Sequence, residues 1–197
     1  NYNRDIEIYP VLNALFEGIY GSNPYKSPTD MGVNMVGFCI SDDEACCEAS
    51  KNEIVRRYYD ATNKMARGAC NEEEISKIQM LFNQAKINTD FRRTTVAAKN
   101  YKKETGHTSS AIEMEDGTII TAKSSELLGC SAALILNVTK YLAGIDHNVK
   151  LIPQSMIEPI QHTKISYLGG HNPRLHTDEV LVALSVLSEN DENCRKA

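Results

Sequence analysis

Apolar positions in the first half of the chain repeat with a helical period. Val11, Leu12, Leu15, Phe16 and Ile19 fall at i, i+1, i+4, i+5 and i+8, which predicts a helix face; Gly21-Ser22-Asn23-Pro24 ends it. Ser27 then reads as a cap with Pro28 in the first helical position, where its missing N–H costs nothing. Ser41-Asp42-Asp43-Glu44 has the form of a capping box, opening a long helix from Asp42 to about Arg67 with Gly68 as its stop. Asn71 and Glu74 repeat the pattern before a helix carrying Ile75, Ile78, Phe82 and Ala85 on one side. A further helix is expected near Thr94 to Lys103, so this half resembles a small helical bundle.

The pattern changes at Gly106. Ala111, Ile112 and Met114 precede Glu115-Asp116-Gly117, and Thr118 to Thr121 follow, so Asp-Gly between two strand-like runs predicts a hairpin. An Ala/Leu/Ile-rich helix is expected after Ser124-Ser125-Glu126 as far as Ala143, and a short strand over Val149 to Ile152. Pro153 permits a helix that Pro159 should kink or end. Thr177 is expected to cap a last helix that buries Val180, Leu181, Leu184 and Leu187, before a polar tail from Glu189. The expected fold is α/β in an α+β arrangement. A mainly helical subdomain spans 1–105, and an α/β subdomain spans 106–197, its hairpin-containing sheet covered by helices.

Composition narrows the function classes. The 197 residues suit one domain or two small ones, and the net charge of -5 disfavours a nucleic-acid partner, which clustered Lys and Arg would hold. No apolar run approaches the ~20 residues that span a bilayer, so no membrane partner is expected. The start, Asn1-Tyr2-Asn3-Arg4-Asp5, has neither a signal-peptide pattern nor an initiator Met, as expected of a piece of a longer protein. Cysteines at 39, 46, 47, 70, 130 and 194 form no C-x-x-C pair, which points to a reducing, cytoplasmic setting and packed thiols.

Two segments carry candidate chemistry. Thr121-Ala122-Lys123-Ser124-Ser125 leads from a strand toward a helix start, where backbone N–H groups, Lys123 and the hydroxyls would attract a phosphate. A capped helix beside an exposed lysine fits the same residues, and no Walker spacing is present. Lys26 to Asn34 is polar and Gly-containing: Lys26, Asp30 and Asn34 suit a polar ligand or a neighbouring domain, although a turn with a helix cap accounts for the same residues more simply. His162, His171 and His176 lack zinc-site spacing and read as surface or capping residues, so no metal is expected. Cys130, set among Ala and Leu, reads as a packed thiol.

Longer strings carry a resemblance. Asn1 to Glu7, Tyr25 to Asn34, Glu53-Ile54-Val55-Arg56-Arg57-Tyr58, Asp116 to Ile119 with Lys123-Ser124-Ser125, Ala132 to Ala143 and Glu158-Pro159-Ile160 resemble the bacterial family of uncharacterised proteins known as domain of unknown function eighteen forty-six. The similarity runs over nearly the whole chain. It implies a helical part followed by an α/β part, the C-terminal portion of a longer protein whose upstream half has a Gly-rich, phosphate-loop-like stretch. The hairpin-then-helix portion is similar to the cytidine-deaminase-like topology. Cys130-Ser131-Ala132 without P-C-x-x-C departs from the zinc deaminase pattern. The leading expectation is part of an enzyme for a phosphorylated or nucleotide-like metabolite, with Lys26, Asp30, Asn34, Lys123 and Ser124 lining a cleft shared with the missing half. Neither a catalytic residue nor a cofactor is assigned. The alternative is a non-catalytic homo-oligomerisation or domain-docking module, built on the long helix with Tyr58, Tyr59 and Met65.

Overall fold

The computed structural model describes residues 2–35, 40–69 and 71–197, without the side chains of Tyr2, Asn3, Asn34 and Met35. Cys39, Cys70 and the Asn34 side chain therefore lie outside the described set. The chain divides into two compact units, Asn1–Arg92 and Arg93–Ala197. The fold is helix-rich α+β with one two-stranded antiparallel sheet among the described residues.

The first unit holds α1 (Tyr2–Tyr20), α2 (Pro28–Met35), α3 (Asp43–Ala66), α4 (Glu72–Ala85) and a 3-10 turn at Thr89–Phe91. Its core gathers Ile6, Ile54, Val55, Ala61, Ile78 and Phe82. The face expected to be buried on α1 splits. Ile6 is fully buried and Tyr9, Asn13 and Phe16 are half-buried, an inward stripe at i, i+3, i+7 and i+10, whereas Val11, Leu15 and Ile19 point to solvent. The helix also starts earlier than the pattern suggests and runs through Pro10, because burial of Ile6 anchors its early turns.

On α3 the cap is Asp42 rather than Ser41: its Oδ1 accepts the Ala45 N–H at 2.9 Å. Asn71 caps α4 as expected, accepting the Glu74 N–H at 3.2 Å. Tyr58 and Tyr59 pack against the core, with Tyr58 5.3 Å from the Phe82 ring centre.

The second unit holds α5 (Arg93–Thr105), β1 (Ser109–Glu113), β2 (Ile119–Lys123), α6 (Cys130–Leu142), α7 (Gln154–Ser166), α8 (Thr177–Leu187) and α9 (Glu192–Lys196). The hairpin forms where Asp-Gly places it, pairing Ser109 with Lys123 and Glu113 with Ile119. Gly117 takes φ +82, the left-handed region that favours glycine, and Asp116 Oδ1 accepts the Thr118 N–H. Both α5 and α6 pack on the strands, which places α5 in this unit.

The expected strand at Val149 to Ile152 does not form. Leu151 and Ile152 are buried, but the carbonyls of Val149 and Leu151 are taken by Lys140 Nζ and Cys194 Sγ, not by a ladder. A single parallel bridge, Leu128 to Leu175, is the other extended pairing described. The helix α7 continues through Pro159, which lies inside it and removes one backbone bond, while Ile157 stays 2% exposed. The cap of α8 is His176, one residue before Thr177, and Leu181 faces out while Ala183 faces in. The tail forms α9, capped by Asp191, and buries Cys194. Among the described residues no helix is long and apolar enough to cross a membrane.

One close approach fixes how α1 and α2 pack. A Cβ on Gly32 would sit 2.5 Å from Asp5 Oδ2 and 2.9 Å from its Cγ, so the Asp5 side chain fills the space that a side chain at 32 would need. Gly32→Ala gains about 1 kcal/mol of helix propensity but must displace the short Asp5 side chain, an overpacking cost of about 1–3 kcal/mol. Urea unfolding should show Gly32→Ala to be destabilising in the parent chain. In an Asp5→Ala background the same substitution should be stabilising. Equal effects in both backgrounds would refute the contact.

Candidate functional site

The turn from Tyr25 to Asp30 positions the first candidate residues. Ser27 Oγ accepts the Asp30 N–H at 3.0 Å, capping α2, and Asp30 Oδ2 accepts the Lys26 N–H at 2.7 Å. Ser27 and Asp30 are 2% and 5% exposed, so this pair is a buried lock that fixes the backbone of Lys26. The Lys26 side chain is exposed and pairs with Asp43 at 2.7 Å. That hydrogen bond pushes the Lys26 ammonium up from its ordinary value, so the group stays charged. An exposed pair of this kind is weak and exchanges readily for another anion.

Beside this turn, α1, α3 and α4 enclose a cavity of about 450 Å³, within the size range of small-molecule sites. Lys26 and Lys51 line it, with the carboxamides of Asn13 and Gln84 and the carboxylate of Glu17. Ile6, Pro10, Ile54 and Leu81 give it an apolar wall. Lys51 Nζ lies 5.6 Å from the centre of the Phe91 ring. Tyr9 donates from its hydroxyl to the Tyr25 carbonyl at 2.9 Å; burial, then the nearby Cys47, Asp30 and Glu17, push its phenol up, so it remains a donor. Cys47 donates its thiol to the Lys26 carbonyl at 3.3 Å. Lys26 Nζ is held by Asp43 and Lys51 Nζ lies over Phe91, so both ammoniums sit with partners outside the lining, while their side chains border the same apolar wall.

Of the residues expected from sequence, Lys26 lines this cavity, and Asp30 acts one step behind by holding the Lys26 backbone. Lys51, Asn13 and Gln84 were not expected. Their signal is polar residues on inward helix faces: Asn13 and Glu17 follow Ile6 and Tyr9 at helical spacing, and Lys51 lies between Cys47 and Ile54.

In the second unit, Lys123 ends β2 and is exposed, and Ser124 is buried with its N–H donated to the Thr108 carbonyl at 2.8 Å. The helix expected directly after them begins at Cys130, with Gly129 as cap. Ser125 Oγ accepts the N–H groups of Leu127 and Leu128 at 3.2 and 3.1 Å, so amides that would face an anion here are already bonded. Among the described residues, no three His, Cys, Asp or Glu side chains gather within reach of a metal ion.

Comparison with known proteins adds kinship. The N-terminal profile of the domain of unknown function DUF1846 matches residues 1–86, and its C-terminal profile matches residues 90–197. The chain belongs to this family. It is 52% identical over all 197 residues to the UPF0371 protein cu0538 of Corynebacterium urealyticum. It is 50% identical to a UPF0371 protein of Corynebacterium aurimucosum and 48% to the UPF0371 protein str1377 of Streptococcus thermophilus, each over 100% of the chain. In each case it spans 40% of the relative's length. The DUF1846 description conveys relationship and no activity. The join between its two profiles, 86 to 90, falls close to the division between the two compact units at Arg92.

Near Ser125 the second unit is tied by charge. Arg174 Nε donates to the Ser125 carbonyl at 2.6 Å, and Lys164 Nζ donates to the Arg174 carbonyl and to Glu179 Oε2 at 3.0 and 2.8 Å. Glu179 also accepts the His176 N–H at 2.7 Å. Burial pushes the Glu179 carboxyl up, but Lys164 and the His176 amide outweigh it and hold the group below its ordinary value. A depressed carboxyl contributes stability that is fully present above its unfolded pKa and is lost as pH falls through the lower folded value. Glu179→Gln should cost about 1 kcal/mol at pH 7. Its deficit relative to the parent should shrink on acidification below about pH 4.3, followed by urea titration at each pH. A deficit independent of pH would show that the charge is not what stabilises the cap.

Proposed function

We propose that the first unit binds a small phosphate-bearing metabolite in the cavity between α1, α3 and α4, as part of an enzyme that acts on a phosphorylated or nucleotide-like compound. The observation that carries this reading is that Lys26, Lys51, Asn13 and Gln84 line, together with an apolar wall, one space of about 450 Å³. The ammoniums would take the phosphate, Asn13 and Gln84 would take polar groups, and the apolar wall would receive a ring. Asp30 serves by fixing Lys26, and the exposed Lys123 beside the buried Ser124 is a separate place in the second unit.

The free thiols of Cys46, Cys47, Cys130 and Cys194 support a cytoplasmic protein. The order of hairpin then helix in the second unit supports the cytidine-deaminase-like arrangement at the level of topology alone, and such likeness assigns no reaction. The exposed apolar side chains of α1 favour a second role, docking or oligomerisation, in place of the inward-packed Tyr58 and Tyr59.

A thermal-shift screen against inorganic phosphate, nucleotides and sugar phosphates tests the cavity. A ligand at ~100-fold excess over its Kd should add about 2.7 kcal/mol of apparent stability. Lys51→Met and Lys26→Ala should each remove the shift, and Lys123→Ala should leave it. Loss in Lys123→Ala alone would move the anion site to the second unit, and no shift at millimolar ligand would end the proposal for this chain.

A further inference from the structure

Val11, Leu15 and Ile19 lie on the outer face of α1 at successive helical turns and are 62%, 51% and 68% exposed. Met80 of α4 is 62% exposed. Between α1 and α4 runs a groove of about 1020 Å³, floored by Ala14 and Leu81 and walled by Val11, Leu15 and Met80. From Val11 to Ile19 the stripe is about 12 Å long at 1.5 Å per residue, room for just over two turns of an opposing helix.

Charge on the rim limits what fits. Among the described residues that line it, Glu7, Glu73 and Glu74 stand there with Lys77, which pairs with Glu73 at 2.9 Å, while Arg57, outside the lining, reaches Glu7 at 3.9 Å. The rim is therefore net acidic. A second copy docked through a two-fold axis would bring two acidic rims together, which opposes self-association. The relatives supply another candidate. This chain aligns along its whole length yet covers 40% of theirs, so most of each relative's polypeptide lies outside the region that forms the groove.

We infer that the α1/α4 groove is the seat of an amphipathic helix supplied by family polypeptide outside the matched region, of the kind that makes up most of each relative's length. That helix presents apolar side chains at i, i+4 and i+7 to Val11, Leu15 and Met80, and lysine or arginine on its flanks to Glu73 and Glu74. The groove adjoins the cavity, with Pro10, Ala14, Leu81 and Gln84 lining both, but Leu15 and Met80, which test the inference, line the groove alone.

Thiol labelling of Leu15→Cys and Met80→Cys, with each site resolved by mass spectrometry, tests it. Both positions are exposed, so the substitutions leave the core intact. A maleimide should label them rapidly in the 197-residue chain and about 10-fold or more slowly when the chain is extended to the length of its relatives. Protection should be the same at all protein concentrations and should weaken when Glu73→Lys and Glu74→Lys are added. Equal rates in the two lengths would overturn the inference. Protection that disappears on dilution would replace it with a second copy or a separate partner. Protection unchanged by the charge reversals would show that the occupant is not cationic.

Discussion

The buried turn around Ser27 and Asp30 is the contact on which the first unit depends. Its backbone at Tyr25 and Lys26 is bonded from three directions. Tyr9 on α1 reaches the Tyr25 carbonyl, Cys47 on α3 reaches the Lys26 carbonyl, and Asp30 holds the Lys26 N–H from within α2. Thr29 and Ser50 add a hydroxyl pair at 3.3 Å between α2 and α3. Polar groups inside a protein are costly unless partnered, so a turn that satisfies its own amides and carbonyls through neighbouring helices sets the spacing of those helices. The cavity exists because α1 and α3 are held at that spacing.

The second unit reaches the same end by different means. Its sheet is too small to organise a domain by backbone pairing, so side chains complete the work. Lys140 donates to the carbonyls of His147 and Val149 at 2.7 and 3.3 Å, closing the loop after α6. Burial holds its ammonium below the ordinary lysine value, while nearby Asp146 acts in the opposite sense. Asn137 binds the Thr121 carbonyl, and Ser110 binds the Cys130 carbonyl, tying α6 to both strands. These bonds surround a core that includes Leu136, Leu151, Leu175 and Val180.

Much of the fold was legible because local signals decided it. Asn71, Pro28 and Asp116-Gly117 each act within a few residues of themselves, and the α4 stripe of Ile75, Ile78, Phe82 and Ala85 packs as its period implies. What was not legible depends on partners distant in the chain. The apolar residues of α1 cover more of the helix circumference than one neighbouring layer can bury, and period alone does not say which arc faces the core. The Val149 to Ile152 run has the composition of a strand, but its carbonyls are taken by a lysine and a thiol that sequence does not place nearby. The same limit applies to the site. Lys26 was visible as part of an unusual polar string, whereas Lys51 and Gln84 are ordinary helix residues until three helices converge on one space.

The thiol of Cys194 has a consequence beyond packing. It is 3% exposed, donates to the Leu151 carbonyl at 3.1 Å, and its acidity is weakened by burial and by Asp191. A protonated, enclosed sulfur does not react with an alkylating reagent in solution, because the thiolate is the nucleophile. The only route to reaction is for α9 to lift away from Leu151. Cys194 is thus a built-in clock: its rate of modification counts how often the last turn of the chain comes undone.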